Sequence, residues 1–282
     1  MRNEAQSGSF HDLRLIGQGR DAEVYEYRDG RVLKLLRAPG RSAHVAFEVA
    51  ALEAARSAGV PVPRVYEEVM VDGRPGLVME HLQGSDLLTV IGRKPWLVFR
   101  SGRLTGEMHA RINAARAPAS LPSVMEVVSR GLERLARSEP TLAEWVGCIL
   151  AHLPDGDALC HGDFHPGQLM LSGDRLAAFD WSGAKRGDPL FDYARTRVLL
   201  SLGEPPPGTS LTLKLLAKVG RRLLISSYAN SYERCAVERV DRARVRHWEI
   251  VNLAVRVLED IPGEQPRLLR RLQKEFARRE VS

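Results

Sequence analysis

Cysteine is scarce in this chain, and the three that occur exclude two classes of protein. Cys148, Cys160 and Cys235 are odd in number, and their spacing fits neither a disulfide framework nor a metal-binding cluster. A reducing compartment, the cytoplasm, is the expectation. Long apolar runs are missing as well: no stretch approaches the roughly 18 residues that mark a membrane span. The polar opening MRNEAQSGSFHDL lacks the apolar core of a secretory signal. Internal repeats and low-complexity tracts are absent too. What remains is an ordinary globular composition, 44% hydrophobic and 27% charged, in 282 residues. That length accommodates one large domain or two small lobes with a substantial core.

Charge is unevenly spread. Leu211–Ser282 carries 16 Lys/Arg against 9 Asp/Glu, a surplus of +7, whereas the first 210 residues carry 25 basic against 26 acidic. A basic C-terminal third can attract an anionic partner, but a solvated basic helix face is the commoner cause. The last helical pattern sets Leu268, Leu269, Leu272 and Phe276 against Arg267, Arg270, Arg271, Lys274 and Arg278. It has no aromatic interleaving and no recognition motif, so neither nucleic acid nor a membrane is an expected partner.

The first 80-odd residues read as an antiparallel sheet. Leu13–Ile16 is strand-like, Gly17-Gln18-Gly19-Arg20-Asp21-Ala22 forms a glycine corner, and Glu23–Tyr27 alternates. Asp29-Gly30 is a hairpin signal before a third strand, Arg31–Leu36. Two glycines let backbone N–H groups close over a phosphate, although most such pairs are merely turns. Lys34, between Leu33 and Leu35, faces the opposite way from both. A surface lysine on an edge strand is the plain alternative. Ala43–Ser57 is helical, and Gly59 stops it before Pro61. Glu48 sits at the edge of that helix's apolar face, where it can turn inward to Lys34; Glu53 is the second candidate. Val65–Val71, the turn at Asp72-Gly73, and Gly76–Glu80 complete the sheet, and Met79–Gly84 leads out as a linker.

Helices dominate from there: Pro95–Arg111, Val124–Leu135, Leu142–Leu153 and Pro189–Leu202. Glu204–Gly208 is a rigid Pro-rich break. Leu216, Val219 and Leu223 form one expected seam, and Val240, Trp248, Val251, Val255 and Leu258 another. Within this helical part lies Leu159–Asp192, LCHGDFHPGQLMLSGDRLAAFDWSGAKRGDPLFD. It packs His161, Asp163, His165, Gln168, Asp180, Asp188 and Asp192 around a strand–turn–strand unit whose turn is Ser172-Gly173-Asp174. A loop on a rigid hairpin can aim side chains while the strands hold them still.

Phosphoryl transfer from a nucleotide needs backbone and a lysine to fix the phosphates, Mg²⁺ to neutralise charge, and a carboxylate to orient the attacking hydroxyl. The chain offers a glycine corner, Lys34 with Glu48, Asp163 in a loop, and Asp180 seventeen residues on. Each feature is weak alone; their order and spacing are strong together. On HGDFHPGQ (His161–Gln168), FDW (Phe179–Trp181), GDPLFD (Gly187–Asp192) and, more loosely, LIGQGRDAEVY, VLKLL and MEHLQG, the chain resembles the aminoglycoside phosphotransferase / choline kinase-like family. The resemblance covers nearly the whole chain. It implies an α+β, bilobal protein-kinase-like fold. A small antiparallel sheet with one helix (residues 1–82) would bind the nucleotide, and a larger helical lobe (residues 83–282) would carry the catalytic loop and acceptor site.

By position, the resemblance implies that Asp163 is the catalytic base, that Asp180 ligates Mg²⁺, and that Lys34, held by Glu48, contacts the phosphates of ATP. Gly17 and Gly19 would arch over those phosphates, and the backbone of Glu80 and Leu82 would meet the base. His161, Asp188 and Asp192 would brace the loop. The family's metal-binding Asn is Gln168 here, which keeps the carbonyl oxygen but adds a methylene. A catalytically weak nucleotide-binding module is therefore the alternative to an active O-phosphotransferase.

The acceptor is expected to be a hydroxylated small molecule such as a sugar, a metabolite or a less basic antibiotic. Glu249, Glu259 and Asp260 could meet a polycation, but the field of a basic lobe opposes one. Trp248, the available residue for a choline cage, falls in a helical seam that reads as core.

Overall fold

The computed structural model describes residues 13–202, 211–259, 261 and 263–278, with the backbone alone for 211–214. The N-terminal tail, the Glu204–Gly208 break and Asp260 lie outside the described residues. Strands β1 (Leu15–Gln18), β2 (Ala22–Tyr27) and β3 (Arg31–Leu36) precede helix α1 (Ser42–Ser57), and β4 (Val65–Val71) and β5 (Arg74–Glu80) follow it. They form one antiparallel sheet in the order β1-β2-β3-β5-β4. Asp29 and Gly30, and again Asp72 and Gly73, have φ of 58°, 66°, 49° and 74°. Hairpin turns with two left-handed residues match the twist of the strands they join, which is why Asp-Gly serves at both.

The end of α1 is set by Gly59, at φ 75°. Its N–H donates to Arg56 O (2.9 Å), and Val60 N–H donates to Ala55 O (2.9 Å), a Schellman closure that satisfies the last carbonyls. This fixes where α1 stops and how its inner face is seated. Ala51, Leu52 and Ala55 share a core with Met108, Ile112, Phe164, Leu169 and Trp181, so the sheet's helix is anchored on the helical lobe.

Beyond the linker come β6 (Ser85–Asp86), α2 (Leu87–Arg93), α3 (Val98–Asn113), α4 (Val124–Leu135) and α5 (Pro140–Leu150). Next are β7 (Ala158–Cys160), β8 (Leu169–Ser172), β9 (Arg175–Ala178) and β10 (Lys185–Gly187). Helices α6 (Pro189–Leu202), α7 (Leu211–Cys235), α8 (Arg242–Val257) and α9 (Gln265–Arg278) end the described chain. β8 and β9 form the expected hairpin, with β6 on its other edge, and β7 pairs with β10. The short strands β6, β7 and β10, and helix α2, have no strong periodicity, and the sequence reading did not assign them.

Three expectations change. The first strand begins at Leu15 rather than Leu13; the helix expected at Leu142–Leu153 is Pro140–Leu150, with Pro at its first position, where no N–H is required. The seam expected at Leu216, Val219 and Leu223 does not form: Leu216 and Val219 are 65% and 44% exposed. α7 instead buries Leu224, Tyr228, Ala229 and Tyr232 against α3 and α6. It approaches α3 closely because Gly102 and Gly106 have no side chain there. A Cβ on Gly106 would lie 2.4 Å from the Tyr228 carbonyl oxygen, and one on Gly102 2.8 Å from the Ser227 Cβ.

Candidate active site

Lys34 is where the two lobes meet. From the centre of β3 its ammonium donates to Glu48 Oε1 (2.7 Å) and Oε2 (3.0 Å) on α1 and to Asp180 Oδ1 (2.9 Å) at the exit of β9. Glu48 is 4% exposed, whereas Glu53 is exposed on the other side of the helix. Burial opposes the charge on Lys34, but Glu48 and Asp180 outweigh it and hold the amine above the usual lysine range. Burial likewise opposes ionisation of Asp180, and Lys34 overrides it, drawing the carboxyl down to about 2. The Asp180 side chain is still 42% exposed, so this carboxylate is open to a further ligand.

Asp180 has φ 61° in the left-handed region, which a non-glycine residue adopts at a steric cost. Its Oδ1 also accepts from Ser182 Oγ at 2.9 Å, which fixes the carboxylate on the turn Trp181–Gly183. Gln168 lies beside it: Phe179 N–H donates to the Gln168 carbonyl at 3.0 Å, tying the loop to the residue before Asp180. Among the described residues the Gln168 side-chain amide has no hydrogen-bond partner, and the carboxylate of Asp163 has neither a hydrogen bond nor an ion pair. A carboxylate and an amide carbonyl are hard oxygen donors. They suit Mg²⁺, which takes one or two carboxylates and completes its shell with phosphate and water.

The loop that carries Asp163 is suspended from a buried network. Asp192, at the start of α6, accepts from the backbone N–H groups of His161 (2.6 Å) and Gly162 (2.9 Å). It also takes His109 Nε2 (2.9 Å) and Asn113 Nδ2 (3.1 Å) from α3. Burial works against this carboxylate, yet the facing His109 ring and the backbone donors hold it well below the usual range. His161 Nε2–H donates to the Phe179 carbonyl at 3.1 Å, and burial lowers the ring's proton affinity, so the imidazole is neutral. Asp188 caps α6 through Leu190 N–H (2.9 Å) and accepts from Trp248 Nε1 at 2.6 Å. Thr196 Oγ1 donates to the Phe164 carbonyl (2.8 Å), and Arg195 Nε to the Gly162 carbonyl.

Over the cleft, Gly19 N–H donates to Ala22 O at 2.8 Å, closing the glycine corner, and a Cβ on Gly17 would touch only Val24, at 3.7 Å. Arg20 of that corner reaches the Glu259 carbonyl across the cleft at 3.2 Å. At the linker, Glu80, His81, Leu82 and Gln83 line a cleft of about 160 Å³ with Met170, Ser172, Arg175 and Ala177. Glu80 N–H is taken by the Arg64 carbonyl (2.8 Å) and so is not available to a ligand. Its carboxylate pairs with Arg175 at 3.0 Å, linking the linker to the β8–β9 hairpin.

Residues 12–217 match the family described as "Phosphotransferase enzyme family". The chain belongs to this family. No curated protein sequence matches it. Among solved structures, the fold is similar to that of the amicoumacin kinase hAmiN in complex with AMP-PNP, Ca²⁺ and Ami (TM-score 0.64, 16% identity, 95% of this chain and 88% of that one). It is also similar to a choline/ethanolamine kinase family protein from Mesorhizobium loti (TM-score 0.58, 17% identity, 98% and 89%). A third is the GDP and kanamycin complex of an aminoglycoside phosphotransferase (TM-score 0.59, 15% identity, 96% and 94%).

The supporting shell of this phosphotransferase was invisible to motif reading. His109, Asn113, Tyr228, Tyr232 and Arg195 carry no motif, and each is distant in sequence from the loop it supports. Their one signal was polar residues at positions a helical period assigns to the core, as with His109 and Asn113 beside Ile112 on α3. Lys34, Glu48 and Asp180 meet between the sheet and the helical lobe. Gln168 is tied through its carbonyl to Phe179, and Asp163 lies by Gly183. Glu80 and Leu82 line the linker cleft; His161, Asp188 and Asp192 belong to the buried bonding that holds the loop and α6.

Proposed function

We propose that this phosphotransferase moves the γ-phosphate of ATP to a hydroxyl of a small molecule in a Mg²⁺-dependent reaction. Residues 1–82 would bind the nucleotide, and residues 83–282 would present the acceptor. The observation that carries the reading is the meeting of Lys34, Glu48 and Asp180, together with an unengaged Asp163 carboxylate near Gly183, three residues past Asp180. Lys34, with its amine held by Glu48, binds the α- and β-phosphates, and Gly17 and Gly19 cover them. The Glu80 carbonyl and the Leu82 backbone orient the base. Asp180 and Gln168 would hold Mg²⁺, which supplies charge neutralisation on the transferring phosphoryl group. Asp163 orients the acceptor hydroxyl and takes its proton. His161, Asp188 and Asp192 fix the loop from below.

The acceptor is not a polycation on this reading. Glu249 is committed to Arg197 at 2.7 Å, and Glu259 to Arg195 (2.5 Å) and Arg256 (2.6 Å). Trp248 is fully buried and bonded to Asp188, so it forms no wall of an ammonium cage.

Incubation with Mg-ATP and a panel of hydroxylated acceptors tests the proposal. Product formation should fall by about 10²–10⁴ in Asp163→Asn, the range of a lost general base, with ATP affinity unchanged. ATP-dependent thermal stabilisation with no turnover on any acceptor would instead support the nucleotide-binding module that Gln168 suggests.

A further inference from the structure

Lys185 is a half-buried cation that the reaction so far leaves without a role. It begins β10, opposite Cys160 of β7, with its side chain mostly covered, and its amine donates to the Gly183 carbonyl at 2.6 Å. Among the described residues no carboxylate lies within ion-pair distance of that amine. Most other cations around this loop are in ion pairs; among the described residues Arg186, its neighbour on β10, is not, and its Nε is likewise without a partner. Lys34 has Glu48 and Asp180; Arg195 has Glu259; Arg256 has Glu259 and Glu264; Arg244 has Asp188. An ammonium carries three N–H donors, so Lys185 keeps donors to spare.

Its place is next to the reacting groups. A Cβ on Gly162, the residue before Asp163, would lie 3.1 Å from the Lys185 amine. A Cβ on Gly183 would lie 3.8 Å from the Asp163 Cβ. Lys185 and Asp163 thus flank the same pair of glycines, where no side chain from either intervenes. Gly162, at φ 81°, presses against the Gly183 carbonyl, and Arg195 holds the Gly162 carbonyl from the other side. Burial, with the Arg195 guanidinium nearby, draws the Lys185 ammonium down to about 8, so it is still largely charged at neutral pH. Asp192 and Glu259 favour the charge without touching it, so the covered ammonium lacks a carboxylate in contact, and an anion supplied by a ligand could take that place.

We propose that Lys185 receives an anionic group, a carboxylate or a phosphate, that the acceptor carries in addition to the hydroxyl addressed by Asp163. The substrate class is then a hydroxy acid or a phosphorylated sugar or polyol. This inference rests on the phosphotransfer reading of the adjoining loop, since that reading makes the Asp163 side of the cleft the acceptor's place.

The test uses the full chain saturated with Mg²⁺ and a non-hydrolysable ATP analogue, so that anions cannot occupy the Lys34 side. Two matched pairs are titrated calorimetrically, glucuronate against glucose and ribose 5-phosphate against ribose; the two arms separate a carboxylate from a phosphate. The anionic member should bind at least about tenfold more tightly, as one charge-assisted hydrogen bond provides. That advantage should vanish in Lys185→Gln and return in Lys185→Arg, with the affinity for the ATP analogue unchanged in both. Equal binding of both members of each pair, absence of binding by either anion, or a preference that survives in Lys185→Gln overturns the proposal. Because this readout needs no turnover, an anion preference in a protein that transfers no phosphate would sink the catalytic reading and leave the subsite standing.

Discussion

Gln168 is the residue at which the proposed metal site would differ from the Asn that the family resemblance implies. Its backbone carbonyl is fastened to Phe179 N–H at 3.0 Å, so the extra methylene of Gln cannot be absorbed by sliding the loop away from Asp180. Mg²⁺ tolerates little error at about 2.1 Å, and a longer side chain must fold back to offer its oxygen at the position an Asn would reach directly. Gln168→Asn is therefore expected to lower the Mg²⁺ concentration for half-maximal turnover by roughly tenfold, the scale on which metal-site geometry acts. Titration of activity against Mg²⁺ at saturating ATP checks this, and an unchanged midpoint would show that Gln168 does not touch the metal. Glu48 illustrates what is legible at this scale. Pattern alone put it and Glu53 on opposite edges of one apolar stripe; the seating of α1 on Trp181 and Phe164 decides that Glu48 is the one turned inward.

Helix α7 shows why an element can be identified and its packing face still misread. Leu216, Val219 and Leu223 have helical spacing, and the helix is real, but its inward face is set downstream by Tyr228 and Tyr232. The partner surface is a glycine groove on α3 about a hundred residues earlier in the chain. No window of local periodicity contains that information. Gly106→Ala places a methyl 2.4 Å from the Tyr228 carbonyl, against backbone that cannot rotate away. The two helices must part, at a cost of about 1–3 kcal/mol by analogy with overpacked cores. Gly147→Ala on α5 meets nothing within 4 Å and should instead stabilise by about 0.5–1 kcal/mol through helix propensity. Urea unfolding of the two variants should move the midpoint in opposite directions; an unchanged or raised midpoint in Gly106→Ala would contradict the close approach of α3 and α7.

For the molecule as a whole, Asp192 links the catalytic loop to α3 and α6, and its charge state belongs to the folded form. Its folded-state pKa lies below its unfolded one, so the unfolded chain takes up the proton first as the solution is acidified. The stability it contributes is fully present above the ordinary carboxylate range, near pH 4, and is lost as pH falls toward the depressed folded value. The urea midpoint of the wild type should be level above about pH 5 and drop below about pH 4, more steeply than that of Asp192→Asn, which has no carboxyl to titrate. Parallel curves would mean that Asp192 titrates alike in both states.

No helix among the described residues is long and apolar enough to cross a bilayer. The contact of Arg20 with the Glu259 carbonyl makes the basic C-terminal part a neighbour of the glycine corner. Glu259 itself is taken by Arg195 and Arg256, one cation from each side of the boundary at Leu211.

The sequence by itself determined the longer elements and the motif-bearing residues, because these depend on short-range physics; β6, β7, β10 and α2 were beyond it. Asp-Gly turns, a glycine-stopped α1, alternation in β2 and β3, and the spacing of Asp163 to Asp180 can all be read within a few residues or one motif. Only the tertiary structure decided which charges are neutralised and which are not. Whether Lys34 is a surface lysine or the centre of a three-residue cluster depends on Asp180, 146 positions away. That Glu259 is spent and Lys185 unpaired depends on α6, α8 and the loop seam meeting in space. Electrostatic neighbours act through distance and burial, not through spacing along the chain. The residues proposed for the reaction were therefore written in local patterns, whereas the charge environment around them was set by packing.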